Sequence, residues 1–237
     1  MNSQDTRFKA DKKVDELYIG LRNKYGTDNP KANGYRLQLY FLREQEMILD
    51  TLKDANGTIL DIACGSGLML QPLLRRGQEI IGVDFNETAC RAARQNNIKI
   101  IRGDAYLMPV DSETIDRAIN CQFLNQQTYE NITGFIKEVY RVLRPGGKFI
   151  LVWRNDEALI HRTAEFIYRF IDIFTGIPKF PYFNHTLDTV SGKAAEIGFT
   201  VEKKQLTFPL LSWKTEETYG LLAKLIGASC FLVLKKP

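Results

Sequence analysis

The chain has 237 residues, 44% of them hydrophobic and 25% charged, which is the composition of a globular protein with a well-buried core. Its net charge of +4 comes without a long Lys/Arg block and so gives no argument for a nucleic-acid partner, which we do not expect. No apolar run is long enough for a membrane span, and the four cysteines lack a CxxC pair, so we expect reduced thiols and a cytoplasmic location rather than a disulfide framework or zinc site.

The N-terminal region is predicted to be helical. Residues 1–13 are polar and charged, which is typical of a loosely held terminus. An amphipathic helix is predicted over 35–53 by apolar residues at helical spacing: Leu37, Phe41, Ile48 and Leu52. Asn56-Gly57 then ends this element and leads into the first strand.

Residues 58–70, TILDIACGSGLML, read as a buried strand, a tight turn of small residues and the start of a helix. Gly65 and Gly67 have no Cβ, so the turn can bend sharply and a ligand can approach its backbone. The free N–H groups at the helix start then face the space above the sheet edge. This pattern is typical of a nucleotide-type site, although a plain strand–helix connection shows it too.

Strands and helices then alternate as far as residue 153. The predicted strands are 79–84, 99–101, 115–121 and 148–153, and the predicted helices are 86–96 and 132–143. This alternation predicts a mostly parallel sheet that is covered on both faces. The tail departs from it, with a helix over 187–197 and strands over 200–208 and 229–234. We expect the last strand to be an antiparallel neighbour added at the end of the sheet.

Acidic residues end two neighbouring strands. Asp84 ends the second strand, where a carboxylate can accept both hydroxyls of a ribose; the alternative is a surface turn acid. Asp104 ends the third strand, where it can take the amino group of an adenine while the N–H of Ala105 donates to a ring nitrogen. A turn with a capping Asp is the alternative there. The residues expected to flank a flat base are Leu107, Met108 and Pro109.

Five motifs occur in order along the chain: DIACGSG (61–67), VDFN (83–86), GDAYLMPV (103–110), IDRAINC (115–121) and RVLRPGGKFIL (141–151). Together they resemble the class I S-adenosylmethionine-dependent methyltransferases, of the small-molecule, type 11-like kind. The resemblance covers about residues 57–153. It implies an α/β fold with a Rossmann-like, doubly wound, mostly parallel seven-stranded sheet, an antiparallel C-terminal strand and helices on both faces. One departure is Ala63, where the family often has glycine; alanine fits there if its φ is negative.

The resemblance implies S-adenosylmethionine as cofactor. Its methionine end would meet Asp61 and the turn 63–67, its ribose Asp84, its adenine Asp104 and Ala105, and its sulfonium Asn120 and Cys121. The implied cofactor-binding residues are Asp61, Ala63, Cys64, Gly65, Ser66, Gly67, Asp84, Phe85, Asp104, Ala105, Asn120 and Cys121. The implied reaction is direct displacement at a methyl carbon, for which the protein aligns donor and nucleophile and excludes water.

Residues 155–184 are predicted to be an insertion that forms a lid. Two apolar stripes run along a predicted helix there, followed by the aromatic, proline-stiffened loop 177–183. We interpret the insertion as a lid over an apolar acceptor pocket; a thicker core or a dimer face is the alternative. The predicted substrate-pocket residues are Gln122, Phe166, Phe170, Phe180 and Phe183. An apolar, aromatic or lipid-like small molecule is therefore the expected acceptor.

His161 and His185 are the chain's two histidines and the candidates for a general base, with a surface or structural role as the alternative. Neither has metal-ligand spacing to a second donor, so no metal is expected. We expect one methyltransferase domain over 1–237, made of a helical cap (1–56), a cofactor-binding core (57–153), the lid (155–184) and the remaining sheet (185–237).

Three other functions compete with this interpretation. A nicotinamide-dependent dehydrogenase would have a third glycine where Leu70 stands. An RNA methyltransferase is an alternative, although the chain has no appended RNA-binding module. A non-catalytic S-adenosylmethionine-binding protein is another. The sequence leaves open the acceptor, the atom that is methylated and the oligomeric state.

Overall fold

The computed structural model describes residues 16–35, 38–155, 157–159, 183–207 and 227–237. Within them, seven strands form one sheet in the order β3-β2-β1-β4-β5-β7-β6. The strands are β1 (Ile59–Ile62), β2 (Ile80–Asp84), β3 (Lys99–Arg102), β4 (Ile115–Cys121), β5 (Leu143–Arg154), β6 (Thr200–Thr207) and β7 (Ser229–Lys235). β1 to β5 pair in parallel, and β7 is antiparallel to both its neighbours. The predicted fold class is confirmed.

The helices are α1 (16–25), α2 (Gln38–Thr51), α3 (Gln71–Leu74), α4 (Glu87–Gln95), α5 (Tyr129–Val142) and α6 (Leu187–Ile197). Short 3-10 helices cover Pro30–Asn33, Leu68–Leu70 and Leu124–Gln126. Two of these helices have well-formed caps: the Asn86 side chain accepts from the Ala89 N–H at the start of α4, and Gly198 ends α6 with φ +117°. No described helix is long and apolar enough to cross a membrane.

Apolar clusters cover both faces of the sheet. One contains the inner faces of α5 and α6, with Phe135 and Phe149 at its centre. The other joins α2 to the opposite face through Ile48, which packs with Ile119 and Phe231. The side chain of Gln45 on α2 also donates to the carbonyls of Leu68 and Met69. Carbonyl groups near the end of a short helix lack a partner within that helix, and Gln45 supplies one. α2 is therefore fixed against the sheet beside the glycine turn.

The position predicted for the last strand is wrong. β7 lies between β5 and β6 rather than at the end of the sheet. Its first six residues, 229–234, are all buried, as expected of a strand with neighbours on both sides. β6 is the edge strand and exposes Glu202 and Lys203, charged residues of the kind that protect edges from further pairing.

The start of β5 also differs from the prediction. α5 ends at Val142 as expected, but the strand begins at Leu143 and includes the Arg144–Gly147 segment that was predicted to separate the two elements. The pairing of β4 with β5 shifts between Ile115 and Arg117, so the extra residues are absorbed as an irregularity in the ladder.

Candidate functional site

A cavity opens at the carboxyl ends of β1, β2 and β4, where ligands bind in open α/β sheets. Strand ends contribute Asp61, Asp84 and Cys121, and the turn after β3 contributes Asp104. The other side is formed by N-terminal residues, which the sequence did not indicate as part of a site: Tyr18, Arg22, Asn33, Tyr35 and Phe41. The N-terminal region therefore completes a site whose floor is the sheet edge.

The turn after β1 has three residues in the left-handed region: Ala63 (φ +55°), Gly65 (φ +59°) and Gly67 (φ +75°). The negative φ expected for Ala63 is therefore wrong. A Cβ in this region crowds the backbone at a cost of about 1–2 kcal/mol, so Ala63 adopts a conformation that glycine would adopt without strain. Ala63, Cys64 and Gly65 all line the cavity.

Ser66 and Gly67, two of the predicted cofactor-binding residues, do not line the cavity. Ser66 is buried, and its hydroxyl accepts a hydrogen bond from Asn33. A Cβ at position 67 would lie 2.5 Å from Cγ1 of Ile98, so packing requires this glycine. At Gly65 the nearest atom to a Cβ would be Asn33 Oδ1 at 3.1 Å. The first glycine thus faces the cavity and the second faces the core.

Two aspartates meet at the centre of the site. Both oxygens of Asp84 accept backbone N–H groups at 2.9 Å, Oδ2 from Gly65 and Oδ1 from Asn86. Asp61 is buried, and its Oδ2 has no hydrogen-bond partner among the described residues. Burial, and secondarily the charge of Asp84, raises the pKa of Asp61 to about 8. This part of the cavity therefore favours a cationic ligand.

Asp104 and Ala105 line the cavity, but the residues expected to flank a base do not. Leu107 is 77% exposed, Met108 is buried in the core, and Pro109 packs against Gly103. Other aromatic residues line the cavity instead, among them Phe85, Tyr106 and Phe123. Tyr106 donates to Gln127 Oε1 at 2.6 Å and contacts the ring of Phe123, which holds this wall in place.

At the end of β4 only one of two predicted residues reaches the cavity. Asn120 is buried, and its Nδ2 donates to the carbonyl of Ile62 at 2.8 Å, which ties β4 to β1. Cys121 and Gln122 do line the cavity. Behind them lies the carboxylate of Glu44 on α2, which accepts from Tyr35 Oη at 2.6 Å. Glu44 falls on the apolar stripe of its helix between Phe41 and Ile48, and this signal was available in the sequence.

Of the two candidate general bases, only His185 belongs to the described residues. The buried His185 contacts the Gln127 carbonyl through Nε2, and its own carbonyl accepts from the Trp153 indole; it does not line the cavity. Phe183 donates its N–H to the Asn125 carbonyl and does not line the cavity either. His161, Phe166, Phe170 and Phe180 lie outside the described residues, as does most of the predicted lid. No metal-binding group of three or more residues occurs in the part of the chain that the structure describes.

Residues 60–151 match the family model of a methyltransferase domain. This segment runs from β1 into β5 and includes the three cavity aspartates. The chain therefore contains a methyltransferase domain, and it is similar to the S-adenosylmethionine-dependent methyltransferases. Their cofactor is S-adenosylmethionine, whose sulfonium and ammonium groups suit the anionic cavity.

Several proteins resemble this methyltransferase over most of its length. A demethylmenaquinone methyltransferase of Oceanobacillus iheyensis is 25% identical over 174 residues, covering 67% of this chain and 69% of that protein. A sterol 4-C-methyltransferase of Caenorhabditis elegans is 27% identical over 203 residues, covering 81% of this chain and 57% of that one. A structure of an S-adenosylmethionine-dependent methyltransferase from Thermotoga maritima has a TM-score of 0.65 at 21% identity, covering 84% and 90% of the two chains. That structural likeness supports the fold.

Proposed function

We propose that this methyltransferase transfers a methyl group to a small apolar or aromatic acceptor by direct displacement. The observation that carries the proposal is a single cavity that is lined by both carboxylates and aromatic rings. Asp61 and Asp84 lie at the strand ends, and Phe41, Tyr106 and Phe123 form apolar surfaces of the same cavity. A cationic cofactor and an apolar acceptor can therefore bind next to each other.

The cofactor contacts are part of the proposal. The unpartnered Oδ2 of Asp61 would accept from the ammonium group of the cofactor. Each oxygen of Asp84 accepts one backbone N–H, and because a carboxylate oxygen can accept more than one hydrogen bond, Asp84 would also accept from the ribose hydroxyls. Asp104 and Ala105 would hold the adenine, with Phe85 beside the sugar and base. Gly65 would let the methionine end approach the turn, and Cys121 would lie near the sulfur.

When bound, S-adenosylmethionine supplies a methyl group on a positively charged sulfur that is already strongly electrophilic. The protein then has to orient the acceptor and exclude water. The rings of Tyr35, Tyr106 and Phe123 offer flat surfaces for orientation. Gln126 donates to the hydroxyl of Tyr18, which joins the segment after β4 to α1 across the cavity and restricts access by water.

The acceptor class rests on the aromatic wall and on the names of the relatives. Demethylmenaquinone and sterols are both apolar ring compounds. Burial of one ring against the wall would contribute a few kcal/mol at about 25 cal/mol per Å² of apolar surface. We keep the lid over 155–184, the four-part division of the chain and a cytoplasmic location as parts of this proposal.

A labelled-methyl assay tests the proposal. The purified chain is incubated with methyl-labelled S-adenosylmethionine and, separately, reduced demethylmenaquinone, a 4-demethyl sterol and total RNA. We expect label in the organic-soluble fraction with an apolar acceptor. A Phe123→Ser variant should raise the KM for that acceptor while its cofactor affinity, measured by calorimetry, stays close to that of the wild type. Label only in RNA would favour an RNA methyltransferase, and cofactor binding without transfer to any acceptor would favour a non-catalytic protein.

A further inference from the structure

Glu44 is a buried carboxylate behind the wall of the cavity, 1% exposed, with four hydrogen-bond donors. Oε2 accepts from Tyr35 Oη at 2.6 Å and from Cys121 Sγ at 3.4 Å. Oε1 accepts from Gln122 Nε2 at 2.7 Å and from the hydroxyl of Ser229. All four donors are neutral side chains.

No Lys or Arg of the described ranges forms an ion pair with Glu44. Arg43, the preceding residue on α2, pairs instead with the exposed Glu46. Burial raises the pKa of Glu44, and the hydrogen bonds from Ser229, Tyr35 and Gln122 offset part of that effect. A buried charge is costly unless it is paired, so this carboxylate is stabilised by a cation or by a proton.

A cation or a proton can reach Glu44 from the cavity. Tyr35, Cys121 and Gln122 each contact Glu44 and line the same cavity as Asp61 and Asp84. The Tyr35 hydroxyl lies 3.3 Å from Cys121 Sγ, so the two groups form a continuous polar patch between the cavity and the carboxylate. A proton that reaches Tyr35 Oη from the cavity has Glu44 Oε2 as its next acceptor.

We propose that Glu44 is the counter-charge of the methyl-transfer centre: its carboxylate balances the cationic donor before transfer and holds the proton of the acceptor afterwards. This inference rests on the proposed function. In the step itself, the X–H bond of the acceptor breaks and its electron pair forms the bond to the methyl carbon, while the electron pair of the carbon–sulfur bond stays on sulfur. The proton passes to Tyr35 Oη as the hydroxyl proton of Tyr35 moves to Glu44 Oε2.

The arrangement keeps the net charge of the site constant. Before transfer, a cation faces a carboxylate; after it, a neutral product faces a carboxylic acid. In a buried site, where charge interactions are poorly screened, this avoids leaving an isolated anion when the positive charge on sulfur disappears.

The other titratable groups near Glu44 do not replace it in this role. Burial, together with the charge of Glu44, raises the pKa of both Tyr35 and Cys121 well above their usual values, so both stay protonated near neutral pH. The charge of Asp61 adds to the raised pKa of Cys121, and burial, followed by the charge of Asp84, raises the pKa of Asp61 itself to about 8. The ammonium group proposed to face Asp61 is present in the donor and in its demethylated product, so its effect on Asp61 cancels when the two are compared. Any effect of the sulfonium on Asp61 would persist in Glu44→Gln, so the loss of the slope in that variant identifies the contribution of Glu44.

The test compares the Kd of S-adenosylmethionine with that of S-adenosylhomocysteine, by calorimetry on the full chain over a pH series. The cationic donor lowers the pKa of Glu44 and the neutral product leaves it raised. The preference for the donor should therefore increase with pH by up to about tenfold per pH unit between those two pKa values. Glu44→Gln should remove the slope. Glu46→Gln, the same substitution two positions along α2 on an exposed side chain, should keep it.

A wild-type preference that does not change with pH, or an unchanged slope in Glu44→Gln, overturns the inference. The wild-type series tests the pH dependence without any variant. If Glu44→Gln fails to fold, Ser229→Ala is measured instead: it removes one neutral donor, keeps the carboxylate of Glu44 and should retain the slope. Failure of the proposed function looks different: neither ligand binds, or both bind and no acceptor is methylated. Tyr35→Phe adds a second readout, because it should keep the preference for the donor but slow transfer to an acceptor that must lose a proton.

Discussion

The carboxylate of Asp84 accepts a hydrogen bond from the backbone N–H of Gly65, with 2.9 Å between Oδ2 and N. Asp84 ends β2 and Gly65 lies in the turn after β1, so the bond fixes that turn against the neighbouring strand. The other oxygen accepts from the N–H of Asn86, which caps α4. One side chain thus organises two turns that line the cavity.

Asp84→Ala should therefore weaken S-adenosylmethionine binding by about 2–3 kcal/mol, because charge-assisted hydrogen bonds are lost and the turn is released. Asp84→Asn keeps one acceptor oxygen and should lose less. Calorimetry measures both, with Asp54→Ala, an exposed aspartate of the loop before β1, as the matched control. Unchanged affinity in Asp84→Ala would remove this residue from the cofactor site.

The two glycines of the turn should respond differently to substitution. Gly67→Ala places a Cβ against Ile98 at a left-handed φ and should reduce the free energy of unfolding by about 2 kcal/mol or more. Gly65→Ala carries the same left-handed strain, but its nearest neighbour is the Asn33 side chain at 3.1 Å, so it should lose less stability than Gly67→Ala and additionally lose cofactor affinity. Urea denaturation and calorimetry separate the two effects. Equal free energies of unfolding for Gly67→Ala and the wild type would show that the Ile98 side chain moves aside at little cost.

Ala63→Gly should stabilise the protein by up to about 1 kcal/mol, because it relieves a left-handed alanine at the cost of extra freedom in the unfolded chain. Ala92→Gly in α4 is the matched control and should destabilise by a similar amount, since glycine is unfavourable inside a helix. The measurement is the free energy of unfolding in urea. A less stable Ala63→Gly would mean that packing of the Ala63 methyl group outweighs the backbone strain.

Local signals explain what the sequence could predict. The strands that carry Asp61, Asp84 and Cys121 at or next to their carboxyl ends follow from short apolar runs bounded by turn residues, and parallel strands bring such ends to one edge. The acidic side of the cavity was therefore predictable. Asn120 was assigned to the site because it ends the same strand, but it points to the Ile62 carbonyl, a direction that strand alternation decides.

Contacts between distant segments account for what was missed. Tyr35 reaches Cys121 across 86 positions and Glu44 reaches Ser229 across 185, so no window of sequence contains either pair. The position of β7 between β5 and β6 likewise depends on which distant strands pair with it, and this is not visible in a local stretch of sequence. Glu44 was the accessible clue, because a charged residue on an apolar helical stripe needs partners from elsewhere in the fold.

Asp61 should make the stability of the ligand-free protein depend on pH. Its pKa of about 8 lies above its ordinary 3.8, so between these values the folded protein keeps a proton that the unfolded chain has released. The free energy of unfolding is therefore highest below the ordinary pKa of Asp61. It decreases as the pH rises towards the folded-state pKa, by at most about 1.4 kcal/mol per pH unit. Asp61→Asn should remove this dependence in urea titrations. A wild-type profile that is flat over the window would show that Asp61 is already ionised.

A crystal structure of the full chain with S-adenosylhomocysteine tests most directly the central claim, that methyl transfer takes place in the cavity at the ends of β1, β2 and β4. We expect the ribose hydroxyls within hydrogen-bond distance of Asp84 and the sulfur facing Tyr35 and Cys121, with open space for an acceptor against Phe123. A sulfur atom that points away from Tyr35 and Cys121, or a ribose that does not contact Asp84, would contradict the claim.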